Sequence, residues 1–202
     1  RPEVVGLAVG TRPDCVPDPV LDVLADTARN KLVWVEYGLQ SIHDRTLKKI
    51  NRGHTSGALF DAVRRTKLRG ILVVTHLILG LPGESVNDMV RTAQAVTDAG
   101  VWGVKLHPLY VVRGTALDRM YRTGDYLPLT QSEATNATLA VMEALGPDMV
   151  IHRMTSDPHP DELSAPLWML DRKRVRTELE QAMIRTGFRQ GSRQEVRQRR
   201  HM

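Results

Sequence analysis

Glu36, Gln40, Arg52, His76, Lys105 and His107 stand at or near the ends of apolar runs, where a buried strand gives way to a loop. Glu36 and Gln40 are separated by an even number of positions, so on a strand they share a face. A carboxylate and an amide so placed can bind an amino group or ribose hydroxyls; they can equally form an internal salt bridge and a satisfied amide. Arg52 follows Gln40 by 12 residues across a short helix. Its planar fork suits a ligand carboxylate through two parallel charge-assisted bonds, or it caps the carbonyls of a helix end.

Other polar groups occupy similar junctions. Gly80-Leu-Pro-Gly-Glu84 turns into a helix that opens at Ser85. Glycines there admit close backbone approach, and the helix start favours anions. No Gly-Lys-Ser/Thr follows, so this is not a Walker motif. Lys105 and His107 alternate with Val104 and Leu106, and His152-Arg153 repeats the theme on a later strand. Facing inward, Lys105, His107, His152 and Arg153 are candidate catalytic groups; facing outward, they are solvated edge residues. Arg12 and Asp14 can pair with each other. Cys15 is either a small buried hydrophobe or a reactive thiol. His54 carries no assignment of its own.

The elements that position these groups alternate between strand and helix. Val4 to Val9, Leu32 to Leu39, Ile71 to Leu79 and a segment within Trp102 to Val112 read as strands. Ile71 to Leu79 is apolar enough to be buried on both faces. Helices are expected over Pro19–Asn30, Asp44–Asn51, Ser56–Arg69 and Ser85–Ala99. Ser56–Arg69 presents Leu59, Ala62, Val63 and Thr66 as one stripe, and Ser85–Ala99 presents Val86, Met89, Val90, Ala93 and Val96. Strands and helices in this order imply parallel pairing through right-handed crossovers, as in a barrel-like α/β enzyme. Ligands then sit at the carboxyl ends of the strands.

After Thr115 the rhythm changes. Helices are expected over Thr115–Arg122, from a Thr130/Glu133 capping box to Leu145, and over Asp171–Thr186. Met149 to Met154 reads as one more strand and Asp157 to Asp161 as a loop.

Composition narrows the class. The 202 residues fit one domain, or one with an extension, and 28 Lys+Arg against 23 Asp+Glu give a net charge of +5. Much of the bias sits in Arg189, Arg193, Arg197, Arg199 and Arg200, read as a solvated basic tail over 189–202 or a phosphate contact. A single cysteine excludes a disulfide framework and a self-contained CxxC metal site, and points to a reducing cytoplasmic setting. No apolar run nears the roughly 20 residues of a membrane span, and no signal peptide is evident.

Gly10-Thr-Arg-Pro-Asp-Cys15, Glu36-Tyr-Gly-Leu-Gln-Ser41, Leu47 to Thr55 and His76 to Glu84 together resemble the radical S-adenosylmethionine (SAM) superfamily. The likeness extends through Lys105-Leu-His-Pro-Leu109, His152-Arg153 and Ala165-Pro-Leu-Trp168, and is nearest to the YhcC-type family beside the Elongator catalytic-subunit group. The resemblance implies a partial (β/α)6 TIM-like barrel, here lacking its first strands, over residues 1–114. A C-terminal α/β extension follows over 115–188. It further implies a [4Fe-4S] cluster held by a CxxxCxxC-type loop, SAM bound at its open iron, and reductive cleavage to a 5′-deoxyadenosyl radical. An electron donor such as flavodoxin or ferredoxin follows from it, and a tRNA or other nucleic-acid substrate by analogy with neighbours.

By the same motif match, Gln40 and Arg52 look like the contacts to SAM's ribose and carboxylate. Ile78 and Gly80 resemble the strand packed on adenine, with Glu36 and His76 also at the SAM site. Gly10 stands where relatives often carry an acidic residue, and His76 where many carry Asp. The chain has no CxxxCxxC, so it holds no cluster ligands. The expectation is therefore the C-terminal two-thirds of a longer enzyme, inactive alone. Two other readings remain: a cluster-less barrel serving as a binding or regulatory module, and an unrelated metalloenzyme using His76, His107 and His152 as ligands.

Overall fold

The computed structural model describes residues 3–194. In chain order the elements are β1 (Gly6–Thr11), α1 (Asp18–Ala28), β2 (Leu32–Gln40), α2 (Asp44–Lys49), α3 (Ser56–Leu68), β3 (Leu72–Leu79) and α4 (Val86–Asp98). There follow β4 (Gly103–Pro108), β5 (Val111–Val112), α5 (Ala116–Thr123), α6 (Gln131–Ala144), β6 (Val150–Arg153), β7 (Leu163–Ala165) and α7 (Arg172–Thr186). The main sheet has five strands in the order β1-β2-β3-β4-β6. Every neighbouring pair in it is parallel, with α3 crossing from β2 to β3 and α4 from β3 to β4. This is the α/β, partial-barrel architecture that the strand–helix rhythm implies.

Strand alternation divides the sheet into two chemically different faces. Val33, Val35, Tyr37 and Leu39 of β2, Val73, Leu77 and Leu79 of β3, and Val104 and Leu106 of β4 are buried against the helices. The expected stripe of α3 is buried throughout, and Tyr37 Oη shares a 2.7 Å hydrogen bond with Thr66 Oγ1 inside it. In α4 the stripe holds from Met89 to Val96, but Val86 is exposed because it opens the helix, one turn before the core begins. The opposite face carries Trp34, Glu36, His76, Ile78, Lys105 and His107, all part-exposed. β3 is therefore buried on both faces only around Val74; beyond it the helix side stays buried while His76 and Ile78 line a polar lumen.

Caps fix the helix entries. Ser85 and Asp88 form a reciprocal capping box for α4, and Thr130 and Glu133 form the expected one for α6. Each supplies acceptors to backbone donors left unpaired in the first turn, worth about 1 kcal/mol per cap. The stretch from Trp102 to Val112 holds two strands, since β5 leaves the main sheet to pair antiparallel with β7. Strands of two and three residues are too short to show periodicity, which hides them from a reading of sequence. Tyr126 and Leu129, between α5 and α6, lie over the turn at Gly80: Tyr126 Oη donates to the Gly80 carbonyl at 2.9 Å. A Cβ on Gly80, whose φ is +87°, would stand 3.0 Å from Leu129.

Part of the stretch expected as a solvated tail is anchored. Gln190 donates to the carbonyls of Gly146 and Met149, Gln194 to that of Ala144, and Arg193 pairs with Glu143. Arg197, Arg199 and Arg200 lie outside the described residues. Among the described residues, no helix is long and apolar enough to cross a membrane.

Candidate functional site

Glu36 is the hub of the lumen face. Its Oε1 accepts from Trp34 Nε1 at 3.0 Å, and its Oε2 accepts from His76 Nε2 at 2.8 Å and Lys105 Nζ at 2.5 Å. Burial raises the Glu36 carboxyl, but the bonds from Lys105, Trp34 and His76 outweigh it and hold the group at about 2. Trp34 was not singled out in the sequence. It stands two positions before Glu36, so the same period-two rule that pairs Glu36 with the lumen would have found it.

Register explains the convergence. Gly10, Glu36 and Val74 are partners across β1, β2 and β3, while His76 is paired with Lys105, and Ile78 with His107, across β3 and β4. In parallel strands such partners point to the same side. Lys105 and His107 thus face inward, and Gly10 leaves open the space where a side chain would stand, with nothing within 4 Å of its ideal Cβ. The His76 and His107 rings stack with centroids 5.2 Å apart. Burial, then the nearby His76, Arg153 and Lys105, push His107 down to about 4 against the opposing pull of Glu36. Its Nε2 is buried without a hydrogen-bond partner. His152 packs against both Trp34 and Trp102, with centroid separations of 6.1 and 5.1 Å, and burial lowers its basicity.

These rings do not form the three-histidine metal site that the sequence allowed. Stacked imidazoles keep their lone pairs in near-parallel planes, and His152 is held in tilted and edge contacts with two tryptophans. Among the described residues, no group of three or more His, Cys, Asp and Glu side chains could hold a metal ion.

Gln40 and Arg52 meet at the end of β2. A bulge between Tyr37 and Gln40 breaks the simple even spacing, and Gln40 takes a left-handed φ of 75°. Its Nε2 nevertheless comes to 2.9 Å, and Arg52 Nη2 to 2.5 Å, of where a Cβ on Gly38 would sit. Arg52 donates from Nε and Nη2 to the Gly38 carbonyl at 3.2 and 2.8 Å, and His54 Nε2 lies 3.1 Å from the same oxygen. Arg52 therefore holds a carbonyl of the strand end rather than its own helix. Burial and then Arg12 lower the guanidinium's affinity for its proton, though it stays charged. Arg12 itself pairs with Asp14 and reaches the Gly53 carbonyl.

A cleft of about 430 Å³ opens where the strands end, lined by Gln40, Ile78, His107, Tyr110, Arg153 and Ser156 among others. Arg52, Gly53 and His54 line a separate one. The Gly80 turn is covered on its Cβ side by Leu129, as described above. Cys15 is exposed and is the chain's one cysteine. A cluster with one open iron needs a set of thiolates that a single cysteine cannot supply, so the residues present do not fit a [4Fe-4S] cluster.

Comparison with known proteins agrees with this fold. The model of the radical SAM superfamily matches residues 1–96, and that of the radical SAM C-terminal domain residues 101–185. The chain is 37% identical over 193 residues to protein MJ0486 of Methanocaldococcus jannaschii, covering 95% of this chain and 60% of the relative. It is 38% identical over 190 residues to protein YhcC of Escherichia coli K12, covering 94% and 61%. The chain thus spans about 60% of the length of these relatives. Among solved structures, archaeal Elp3 from Methanocaldococcus infernus superimposes with a TM-score of 0.77 at 24% identity, over 92% of this chain and 43% of that one.

Proposed function

Because the chain belongs to the radical SAM superfamily, in its YhcC-type branch, we propose that it forms the SAM-holding and substrate-facing part of a radical SAM enzyme. In this reading SAM lies across the carboxyl ends of β2 and β3. The Gln40 amide meets the ribose hydroxyls, the Arg52 guanidinium meets the carboxylate, and Ile78 and Gly80 flank adenine. Glu36 and His76 lie deeper, and Lys105, His107, His152 and Arg153 face the substrate. The observation that carries the reading is the convergence of Gln40 Nε2 and Arg52 Nη2 over Gly38, where the absent Cβ leaves both side chains room.

A [4Fe-4S] cluster would supply the electron that cleaves SAM, and its thiolates would have to come from outside these 202 residues. The reading includes a cytoplasmic setting and a small reduced electron carrier, of the flavodoxin or ferredoxin type. An RNA substrate is supported by the excess of 28 Lys+Arg over 23 Asp+Glu; its test is salt-dependent binding of bulk tRNA.

The test of the main reading uses the full-length protein, purified anaerobically. Iron content and 5′-deoxyadenosine release are measured with SAM and dithionite. Expected are a [4Fe-4S] absorption and product release that falls roughly tenfold or more in Arg52→Lys and in Gln40→Ala, as loss of a charge-assisted or paired contact demands. A parent protein without iron or 5′-deoxyadenosine overturns the reading and leaves a binding module.

A further inference from the structure

We propose that Arg153 and the His107 ring, in the field of the more distant Lys105, form an anion subsite on the lumen face, which takes a carboxylate or phosphate group of a molecule other than SAM. The inference rests on the SAM reading above for the identity of the neighbouring site, but its own support is the charge pattern around β4 and β6.

Lys105 and Arg153 are backbone partners on adjacent strands, but the Lys105 ammonium is drawn across β3 to Glu36, which leaves the Arg153 guanidinium by itself on the β6 side. Glu36 answers Lys105 and His76, and Asp157, which lines the same clefts as Arg153, is paired with Arg172. Among the described residues Arg153 has no ion-pair or hydrogen-bond partner. Its side chain lines two adjoining clefts, which share Pro108, Ser156 and Asp157. Lys105 spends one of its three N–H bonds on Glu36 and keeps two. The charge left unanswered among the described residues of these clefts is therefore that of Arg153.

The groups facing His107 make the same point. His76, Lys105 and Arg153 all disfavour its protonation, and Glu36 alone favours it. A neutral imidazole among cations is the arrangement an added anion would relieve. Arg153 supplies a planar fork for two parallel bonds to an anion, and Tyr110 and Ser156 add polar edges to the cleft. Arg153 and Arg52 line different clefts, and that of Arg153 also carries Gln40 and Ile78, so an anion held there lies beside the proposed SAM contacts.

The experiment is an NMR titration of the chain at neutral pH, following the Arg153 Nε–H and His107 ring signals. Inorganic phosphate and acetate are the probes, with chloride at matched ionic strength as reference. Expected are saturable shifts of both signals beyond those from chloride. Arg153→Gln, at an exposed position, should weaken the His107 response about tenfold or more, while Arg153→Lys retains part of it. A response to phosphate alone assigns a phosphate group, and a response to acetate alone assigns a carboxylate. Shifts no larger than with chloride, or an undiminished His107 response in Arg153→Gln, overturn the proposal. SAM affinity of the full-length protein separates the two readings. If Arg153→Gln weakens SAM as much as phosphate or acetate, the cation belongs to the SAM site and this inference fails alone. If SAM does not bind but the anion response stands, the SAM reading fails alone.

Discussion

Lys105 on β4 reaches across β3 to place its ammonium 2.5 Å from the Glu36 carboxylate on β2. The pair ties three strands together from the lumen side, opposite the core in which the helices pack. Glu36 also answers His76 and Trp34, so one carboxylate satisfies three donors that would otherwise be orphaned.

Replacing Glu36 with Gln should therefore destabilise the fold, by about 2–4 kcal/mol, because it leaves Lys105 uncompensated in a largely buried position. The sign with pH follows from the depressed carboxyl. A group held at about 2 when folded and nearer its ordinary 4.5 when unfolded contributes stability above the unfolded value. That contribution, on the order of 3 kcal/mol, is lost as pH falls from 4.5 through 2. Urea unfolding across this window should show a steeper loss in the native sequence than in Glu36→Gln. Equal slopes would show that the carboxylate is not the group responsible.

His107 works in a higher window. Its folded value of about 4 lies below the ordinary 6.5, so the unfolded chain binds the extra proton between them. Stability should thus fall as pH drops from 6.5 to 4, by up to roughly 3 kcal/mol. His107→Gln should flatten that segment of the profile. An NMR titration midpoint for His107 near 6.5 would contradict the burial and charge argument.

Gly38→Ala separates site geometry from stability. The added methyl group would collide with Arg52 Nη2 and Gln40 Nε2, the far ends of flexible side chains, rather than with backbone. Both side chains can swing aside, so thermal unfolding should shift by the equivalent of about 1 kcal/mol or less. SAM affinity of the full-length protein should fall by roughly tenfold or more, since two of its proposed contacts move together. Unchanged affinity would remove Gln40 and Arg52 from the site.

Much of this architecture could be read from the chain because its helices and longer strands are strongly periodic. Leu59, Ala62, Val63 and Thr66 do face the sheet, and Thr130 and Glu133 do cap α6. The inward direction of Lys105 and His107 stayed open in the sequence, because alternation names two faces without saying which one the helices cover. The β2 bulge stayed hidden, since nothing in Tyr37-Gly-Leu-Gln40 announces a left-handed glutamine. Stacking of His76 on His107 is also a matter of register between two strands, and only the paired strands reveal it. β5 and β7 escaped for want of length.

The order β1-β2-β3-β4 has a consequence for biosynthesis. Neighbours in the sheet are also neighbours in the chain, separated by one helix, or by α2 and α3 between β2 and β3. A ribosome releasing the protein from its N-terminal side delivers β2, β3 and β4 each to an edge that has already emerged. Only β6 must wait for the long excursion through α5 and α6 before it reaches β4. The strand that carries Arg153 is thus the last to join the sheet, and the lumen acquires that charge after the Glu36–Lys105 tie can have formed.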